Sequence, residues 1–137
     1  MCIRDSTDNV NALAVMPDGQ RILSGSHDST VRVWLFNGTP KNTFKLHNRG
    51  VNGGGVRALV AMPDNQHALS GSNDCTIKLF NVNDGTVLRT FKHHTNFVTS
   101  LALLPDGRRF VSGSDDETAC IMEHGLCFAP PDPPDED

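Results

Sequence analysis

Apolar and polar residues alternate along short segments of this chain, and each segment ends at a turn signal. The first segment, residues 10–16, runs into Pro17-Asp18-Gly19, whose proline and glycine suit a tight turn. Residues 30–36 place valine, valine and leucine on one side and arginine, tryptophan and phenylalanine on the other, a period of two. Asn37-Gly38 follows and is a strong hairpin signal. The pattern predicts short strands joined by hairpins.

Three copies of this pattern follow one another along the chain. They begin at Val10, Val56 and Val98, so their starts lie 46 and 42 residues apart. The additional residues of the first interval lie in a glycine-rich loop at 49–55. The first two copies each predict four strands, and the third predicts three before the pattern is lost. In the first copy the predicted strands are 10–16, 21–26, 30–36 and 43–46, and the last strand of the second copy is 86–91. We therefore expect an all-β chain of about three four-stranded antiparallel sheets.

The recurring elements are similar to those of WD repeats. They are the Pro-Asp-Gly type of turn, the Ser-Gly-Ser-x-Asp element, a Thr-Val-x-Val-Trp strand and a histidine before the unit, and the resemblance covers residues 7–123. In that family each sheet is one blade of a β-propeller, whose ring usually has about seven blades. The resemblance implies three β-propeller blades that form an incomplete ring. The two end sheets would each leave a face uncovered, so we expect the chain alone to self-associate or aggregate.

The resemblance also implies a hydrogen-bonded network of histidine, serine, aspartate and tryptophan within each blade. The positions that match are Ser24, Asp28 and Trp34 in the first copy, His47, Ser70 and Asp74 in the second, and His94, Ser112 and Asp116 in the third. Phe80 and Met122 stand at the tryptophan positions, and Ser6 stands at the first histidine position. These networks are therefore expected to be incomplete, and each missing bond costs roughly 1 kcal/mol.

Partners of the family often bind the ring face that carries the loop before the first strand and the turn before the third. The corresponding residues here are Asn9, Gly55 and Phe97 in the loops, and His27, Asn73 and Asp115 in the turns. Phe97 is either an exposed binding anchor or a residue that packs against the neighbouring blade.

Candidate catalytic and metal-binding residues have structural explanations. The aspartates and serines recur once in every copy, which is typical of turn and network residues and not of a catalytic triad. Cys120, His124 and Cys127 have a zinc-like spacing but supply three ligands where structural sites need four. Gly53-Gly54-Gly55 is not followed by Lys and Ser or Thr, so it is no phosphate loop. We expect no catalytic residue, no metal and no cofactor.

Composition and charge narrow the expected partners. The net charge is −4, but four acids lie in the last six residues, and without them the sixteen acids become twelve, equal to the twelve bases. The folded part therefore lacks the basic stripe that nucleic acid requires. No apolar run approaches the roughly 20 residues of a membrane span, and the start lacks the apolar core of a signal peptide. The four cysteines form no CxxC pair, so we expect reduced thiols in the cytoplasm, with the nucleus as the second option.

The sequence divides into five predicted segments. Residues 1–6 match nothing in the repeats, and their back-translation resembles a transposon-end adapter of sequencing libraries, so we expect an assembly artefact; the alternative is an ordinary variable N-terminus. Blades are expected at 7–47, 48–92 (with the glycine-rich insertion) and, in part, 93–123. Residues 124–137 form a proline-rich acidic tail, expected to be disordered or polyproline-like.

The function that these observations favour is a non-enzymatic scaffold or adaptor that recognises a protein or peptide. One alternative is the substrate receptor of a ubiquitin ligase, whose repeats often carry an arginine where this chain has Asn37, Asn83 and Gly125. Another alternative is a propeller attached to a catalytic domain outside this sequence.

Overall fold

Short strands separated by turns make up the computed structural model, which describes residues 10–47, 55–92 and 94–125. Within those residues the strands are β1 Val10–Val15, β2 Arg21–Ser26, β3 Thr30–Leu35, β4 Pro40–Lys45, β5 Val56–Ala61, β6 His67–Ser72, β7 Ile77–Asn81, β8 Val87–Phe91, β9 Val98–Leu103, β10 Arg109–Ser114 and β11 Ala119–Glu123. No helix that is long and apolar enough to cross a membrane is found in the described part of the chain.

The strands form three antiparallel sheets in chain order. The first sheet is β1-β2-β3-β4 and the second is β5-β6-β7-β8. The third is β9-β10-β11, with three strands among the described residues. The prediction of an all-β chain of three successive antiparallel sheets that do not close into a ring is confirmed, and the residues after 125 lie outside the described part of the chain.

Five strand boundaries differ from the prediction: the ends of β1, β3 and β4 and the start of β8 by one residue each, and the start of β4 by three. β4 begins at Pro40, three residues earlier than expected, because a proline at the first position of an outer strand needs no N–H for the ladder. β1 ends at Val15, since the carbonyl of Met16 accepts from the N–H of Gly19 at 2.9 Å and so begins the turn. The hairpin at Asn37-Gly38 is confirmed: Gly38 has a φ of 91°, and its N–H donates to the Leu35 carbonyl at 2.8 Å.

Two apolar layers hold the three sheets face to face. The layer between the first and second sheets includes Leu23 and Val33 from one side and Val56 and Phe80 from the other. The layer between the second and third sheets is built in the same way, from residues such as Leu69, Leu79, Val98 and Phe110. The middle sheet is therefore covered on both faces, and its two layers form the core.

The central glycine of each Ser-Gly-Ser element sets the distance between neighbouring sheets. A Cβ on Gly25 would stand 2.5 Å from Cγ1 of Val56, and a Cβ on Gly71 would stand 2.7 Å from Cγ1 of Val98. Both valines open the first strand of the following sheet. The absence of a side chain at each glycine thus lets the next sheet approach closely.

Candidate functional site

The second sheet carries a buried chain of hydrogen bonds centred on His47, which follows β4. Its Nδ1 lies 2.8 Å from the Asp74 carboxylate in the β6–β7 turn, and its Nε2 lies 2.7 Å from Oγ of Ser70 on β6. The histidine and the serine are buried. The imidazole therefore ties the segment that enters the sheet to the middle strand and to the turn beyond it.

The third sheet repeats this arrangement around His94. Its Nε2 lies 2.6 Å from Oγ of Ser112, and its Nδ1 lies 2.9 Å from the Asp116 carboxylate. The backbone N–H of Thr95 also donates to that carboxylate at 3.1 Å. Met122, at the tryptophan position of this copy, is only half-buried.

The first sheet satisfies its serine in a different way. Nε1–H of Trp34 donates to Oγ of Ser24 at 2.9 Å, and both residues are buried. Asp28 accepts from the backbone N–H of Thr30 at 3.0 Å and forms an ion pair with Arg32 at 3.8 Å. Ser6, at the histidine position of this copy, lies outside the described residues. In the described chain each of the three serines thus bonds to either a histidine or a tryptophan.

The Ser–His–Asp geometry is the geometry of a hydrolytic triad, but it is not accessible to a substrate. Both ring nitrogens of His47 and of His94 are engaged at hydrogen-bonding distance by a serine and an aspartate. Ser70 and Ser112 are fully buried, so neither hydroxyl can reach a carbonyl from solvent. The arrangement satisfies buried polar groups and anchors the turn, and a nucleophile needs the opposite, an exposed hydroxyl.

A threonine outside the predicted network completes each turn. Oγ1 of Thr76 donates to the Asp74 carboxylate at 2.5 Å, and its N–H donates at 2.9 Å. Thr30 and Thr118 contact their aspartates in the same way. The signal that reveals them is their recurrence two residues after each aspartate. The residue between the two has a left-handed φ of 70–77° in all three copies, at Ser29, Cys75 and Glu117.

These contacts change the acidity of the turn residues. Burial alone would raise the pKa of the Asp74 carboxyl, but hydrogen bonds from His47 and Thr76 and the charge of the imidazole lower it to about 2. Hydrogen bonds from Thr118, and then from His94, lower the pKa of Asp116 as well. Burial, followed by the charges of Asp74 and Asp116, raises the pKa of the Cys75 thiol. That thiol is therefore protonated at neutral pH and is a poor nucleophile.

The loops before the first strands and the turns before the third strands meet at one end of the sheets, which we call the entry face. The N–H of Asn73 donates to the Gly55 carbonyl at 2.8 Å, and the N–H of Asp115 donates to the Phe97 carbonyl at 3.0 Å. A Cβ on Gly55 would stand 2.9 Å from Nδ1 of His27, so the first turn rests on the second loop. Asn9 lies outside the described residues.

The residues of the entry face differ in how far they reach solvent. Asp115 is exposed, and His27 and Phe97 are half-buried. Asn73 is buried, which corrects the expectation that its side chain lies open to a partner. Its Oδ1 instead accepts a hydrogen bond from Nε of Arg57, so the buried Asn73 side chain positions Arg57 at the entry face.

Arg57 links the second and third sheets at this face. Its guanidinium lies 5.5 Å from the centre of the Phe97 ring, within the range of a cation–π contact. Phe97 therefore packs against the neighbouring sheet and remains half-exposed. Arg57 has no repeat signal in the sequence, because the matching positions of the other copies, Asn11 and Thr99, carry no charge.

The described residues contain no group of three or more His, Cys, Asp or Glu side chains placed to hold a metal ion. Of the zinc-like set, Cys127 lies beyond the described residues. His124 is buried, and its Nε2 lies 2.6 Å from the Gly107 carbonyl.

A family model described as WD domain, G-beta repeat matches residues 2–34, 38–81 and 85–122, which is most of the chain. The chain belongs to the WD-repeat family. The second and third matches begin with the outer strand of one sheet, β4 or β8, and end on the third strand of the next sheet. Each WD repeat therefore spans two neighbouring blades. WD repeats generally serve as modules that bind other proteins.

Two curated WD-repeat relatives resemble the chain over most of its length. Pre-mRNA-processing factor 17 of Saccharomyces cerevisiae is 30% identical over 129 residues, covering 91% of this chain and 28% of the relative. WD repeat-containing protein 82 of Drosophila melanogaster is 31% identical over 121 residues, covering 88% of this chain and 37% of the relative. The chain thus spans about a third of the length of these relatives.

Proposed function

We propose that the chain is a protein-interaction scaffold without catalytic activity of its own, and that a protein or peptide binds its entry face. The observation that carries the proposal is the Arg57–Phe97 pair, a cation over a half-exposed aromatic ring. Arginine and aromatic residues are enriched where binding energy concentrates at protein interfaces. Exposed Asp115 and half-buried His27 supply further polar groups at the entry face.

The environments of the network serines, of Cys75 and of the turn aspartates support the non-catalytic part of the proposal. The serines that have histidine partners are buried, and the pKa of the Cys75 thiol is raised. Asp74 and Asp116 have lowered pKa values, so they are ionised and engaged in turns at neutral pH. None of these groups combines exposure with the pKa of a general acid or base.

The cellular setting of the partner is also part of the proposal. The name of the yeast relative connects that protein with pre-mRNA processing. By analogy we propose that this chain acts among proteins of pre-mRNA processing, and that it does so in the nucleus and not in the cytoplasm. Direct binding of nucleic acid is not part of the proposal, since the folded part carries equal numbers of acidic and basic residues.

A comparison of variants on opposite ends of the sheets tests the proposal. The tagged chain is incubated with extract of its source cells, and the proteins captured are quantified by mass spectrometry for the wild type, Arg57→Ala and Arg108→Ala. Both arginines are exposed, but Arg108 lies in the β9–β10 turn at the opposite end. We expect a set of proteins that Arg108→Ala retains and Arg57→Ala loses.

Two results would contradict the entry face as the binding surface. One is capture that Arg57→Ala leaves unchanged, and the other is an equal loss with Arg108→Ala. Circular dichroism of both variants checks that the sheets persist, so a loss of capture is not mistaken for unfolding.

A further inference from the structure

The guanidinium group of Arg57 is held in place by its neighbours, although the side chain is exposed. Its Nε donates to Oδ1 of Asn73, and that asparagine is buried, with its own N–H donating to the Gly55 carbonyl at 2.8 Å. The ring of Phe97, in the loop that enters the third sheet, lies 5.5 Å from the guanidinium carbon. The group is therefore positioned both along one edge and over one face before a partner binds.

The two terminal nitrogens of Arg57 remain available for a ligand. Among residues 10–47, 55–92 and 94–125, neither Nη1 nor Nη2 of Arg57 has a hydrogen bond or an ion pair. The guanidinium of Arg21 differs, because its Nη1 donates to Oδ1 of Asn83 at 2.9 Å and its Nη2 donates to the Asn65 carbonyl at 2.6 Å. Arg21 thus joins two parts of the fold, whereas Arg57 presents a pair of donors, which we call the Arg57 fork.

The Arg57 fork matches the geometry of an oxyanion. A planar guanidinium can donate to two oxygens of a carboxylate or a phosphate at once, whereas a lysine ammonium acts as a point charge. A flexible arginine loses conformational entropy when a ligand orders it. Asn73 and Phe97 reduce that cost for Arg57, because they already hold its guanidinium. An anionic group of the partner is therefore the ligand that suits this fork.

The other charges at this end of the sheets favour an anion with a single charge. The pKa values of Asp74 and Asp116 are lowered, so both carboxyl groups are ionised at neutral pH, and Asp115 adds an exposed carboxyl group. A phosphorylated side chain carries a charge of about −1.5 to −2 near neutral pH. These aspartates therefore repel a phosphate more strongly than they repel the carboxylate of an aspartate or a glutamate.

We propose that the entry face selects an acidic peptide, in which the carboxylate of an aspartate or a glutamate accepts hydrogen bonds from both terminal nitrogens of Arg57. This inference rests on the proposed function, because the peptide binds the same face, and it names the chemical group that the face recognises. Arg57 and Phe97 belong to the second sheet and to the entrance of the third. The site therefore lies between two sheets inside the stack.

Affinity selection from random peptide libraries tests this preference on the full 137-residue chain. The libraries differ only at one fixed central position, which is glutamate, glutamine or phosphoserine, and the amount of peptide retained from each library is measured. We expect the wild type to retain about ten times more of the glutamate library than of the glutamine library, because glutamine cannot form the two charge-assisted hydrogen bonds. The phosphoserine library should be retained less than the glutamate library.

Two arginine variants separate the fork from the positive charge. Arg57→Lys keeps the charge but removes the paired donors, so the preference for glutamate should disappear. Arg108→Lys is the matched control, because Arg108 is also exposed but lies in the β9–β10 turn at the opposite end of the sheets. It should retain the preference of the wild type. Circular dichroism checks that the sheets persist in both variants.

Three results would overturn the inference. The first is a wild type that does not retain more of the glutamate library than of the glutamine library. In that case the proposed function still stands if Arg57→Ala loses the proteins that the wild type captures from extract. The second is stronger retention of the phosphoserine library, which would assign the fork to a phosphate. The third is a preference for glutamate that Arg57→Lys retains or that Arg108→Lys loses equally, since either would assign the effect to charge alone.

Discussion

At the scale of single residues, the serine on the second strand of each sheet shows how a repeat that lacks one network residue still pairs its buried hydroxyl. Ser70 and Ser112 each bond to a histidine, and Ser24 bonds to the only tryptophan of the chain. Phe80 replaces the tryptophan without leaving Ser70 unpaired, because His47 occupies that serine. The serine of a copy can therefore lose either its histidine or its tryptophan partner. The loss of both would leave a buried hydroxyl without a hydrogen bond.

This predicts a strong coupling between Trp34 and Ser24. Trp34→Phe keeps an aromatic ring but removes the N–H, so the buried Ser24 hydroxyl loses that partner, and we expect the free energy of unfolding to fall by about 1–3 kcal/mol. In a Ser24→Ala background the same substitution should cost clearly less. Urea denaturation of the four proteins measures the coupling, and strictly additive losses would contradict the hydrogen bond.

The lowered pKa of Asp74 predicts a loss of stability in acid. The folded-state pKa is about 2 and the ordinary value is 3.8, so this carboxylate stabilises the fold above about pH 4. The contribution is lost as pH falls from about 4 to about 2, and its size is about 1–2 kcal/mol. Denaturation at both pH values, at fixed protein concentration, should show a smaller acid loss for Asp74→Asn than for the wild type.

Asp115→Asn provides the control for this measurement. It also removes one carboxylate from the turn region, but Asp115 is exposed and lies outside the histidine network. It should retain the acid loss of the wild type. An equal reduction in both variants would assign the effect to overall charge and not to the contacts of Asp74.

At the scale of elements, the sheets are stable because each is covered by the next. A strand pattern of period two gives every sheet two partly apolar faces, which one sheet alone cannot bury. The apolar layers supply that burial, and the glycines Gly25 and Gly71 allow the close approach. Stability should therefore depend on residues between sheets much more than on residues of the outer strands.

Two leucines of the second sheet test this dependence. Leu79 is buried between the second and third sheets, and Leu88 on the outer strand is 43% exposed. Leu79→Ala should lower the free energy of unfolding by about 2–5 kcal/mol, and Leu88→Ala by less than about 1 kcal/mol. Similar losses in thermal or urea denaturation would show that the sheets do not rely on the layers between them.

The strands were predictable from sequence because turn residues and alternation are local signals. The same signals could not place the start of β4, since a proline counts against a strand until its position at the edge is known. The histidine networks followed from the family resemblance, and their distances required the structure. Arg57 was missed because its role depends on Phe97, 40 residues away, and no spacing within one repeat reveals a contact between two repeats.

At the scale of the whole molecule, the three described sheets form a stack, and the proposed binding surface lies at one end of their strands. The entry face has the Arg57–Phe97 pair, and neither residue belongs to the apolar layers that join the sheets. The burial of Asn73 could not be predicted from the sequence, because a turn position alone does not reveal that Arg57 donates a hydrogen bond to its side chain. The proposed binding surface and the contacts that join the sheets thus use different residues of the same repeats.

The stacking of blades through their glycines is the central claim, and solution NMR tests it most directly. In a chain with labelled valine methyl groups, we expect strong nuclear Overhauser effects from Gly25 Hα to the Val56 methyls and from Gly71 Hα to the Val98 methyls, because each glycine lies against its valine. Strand pairing within each sheet provides the internal control. Intact strand pairing without these two contacts would contradict the account.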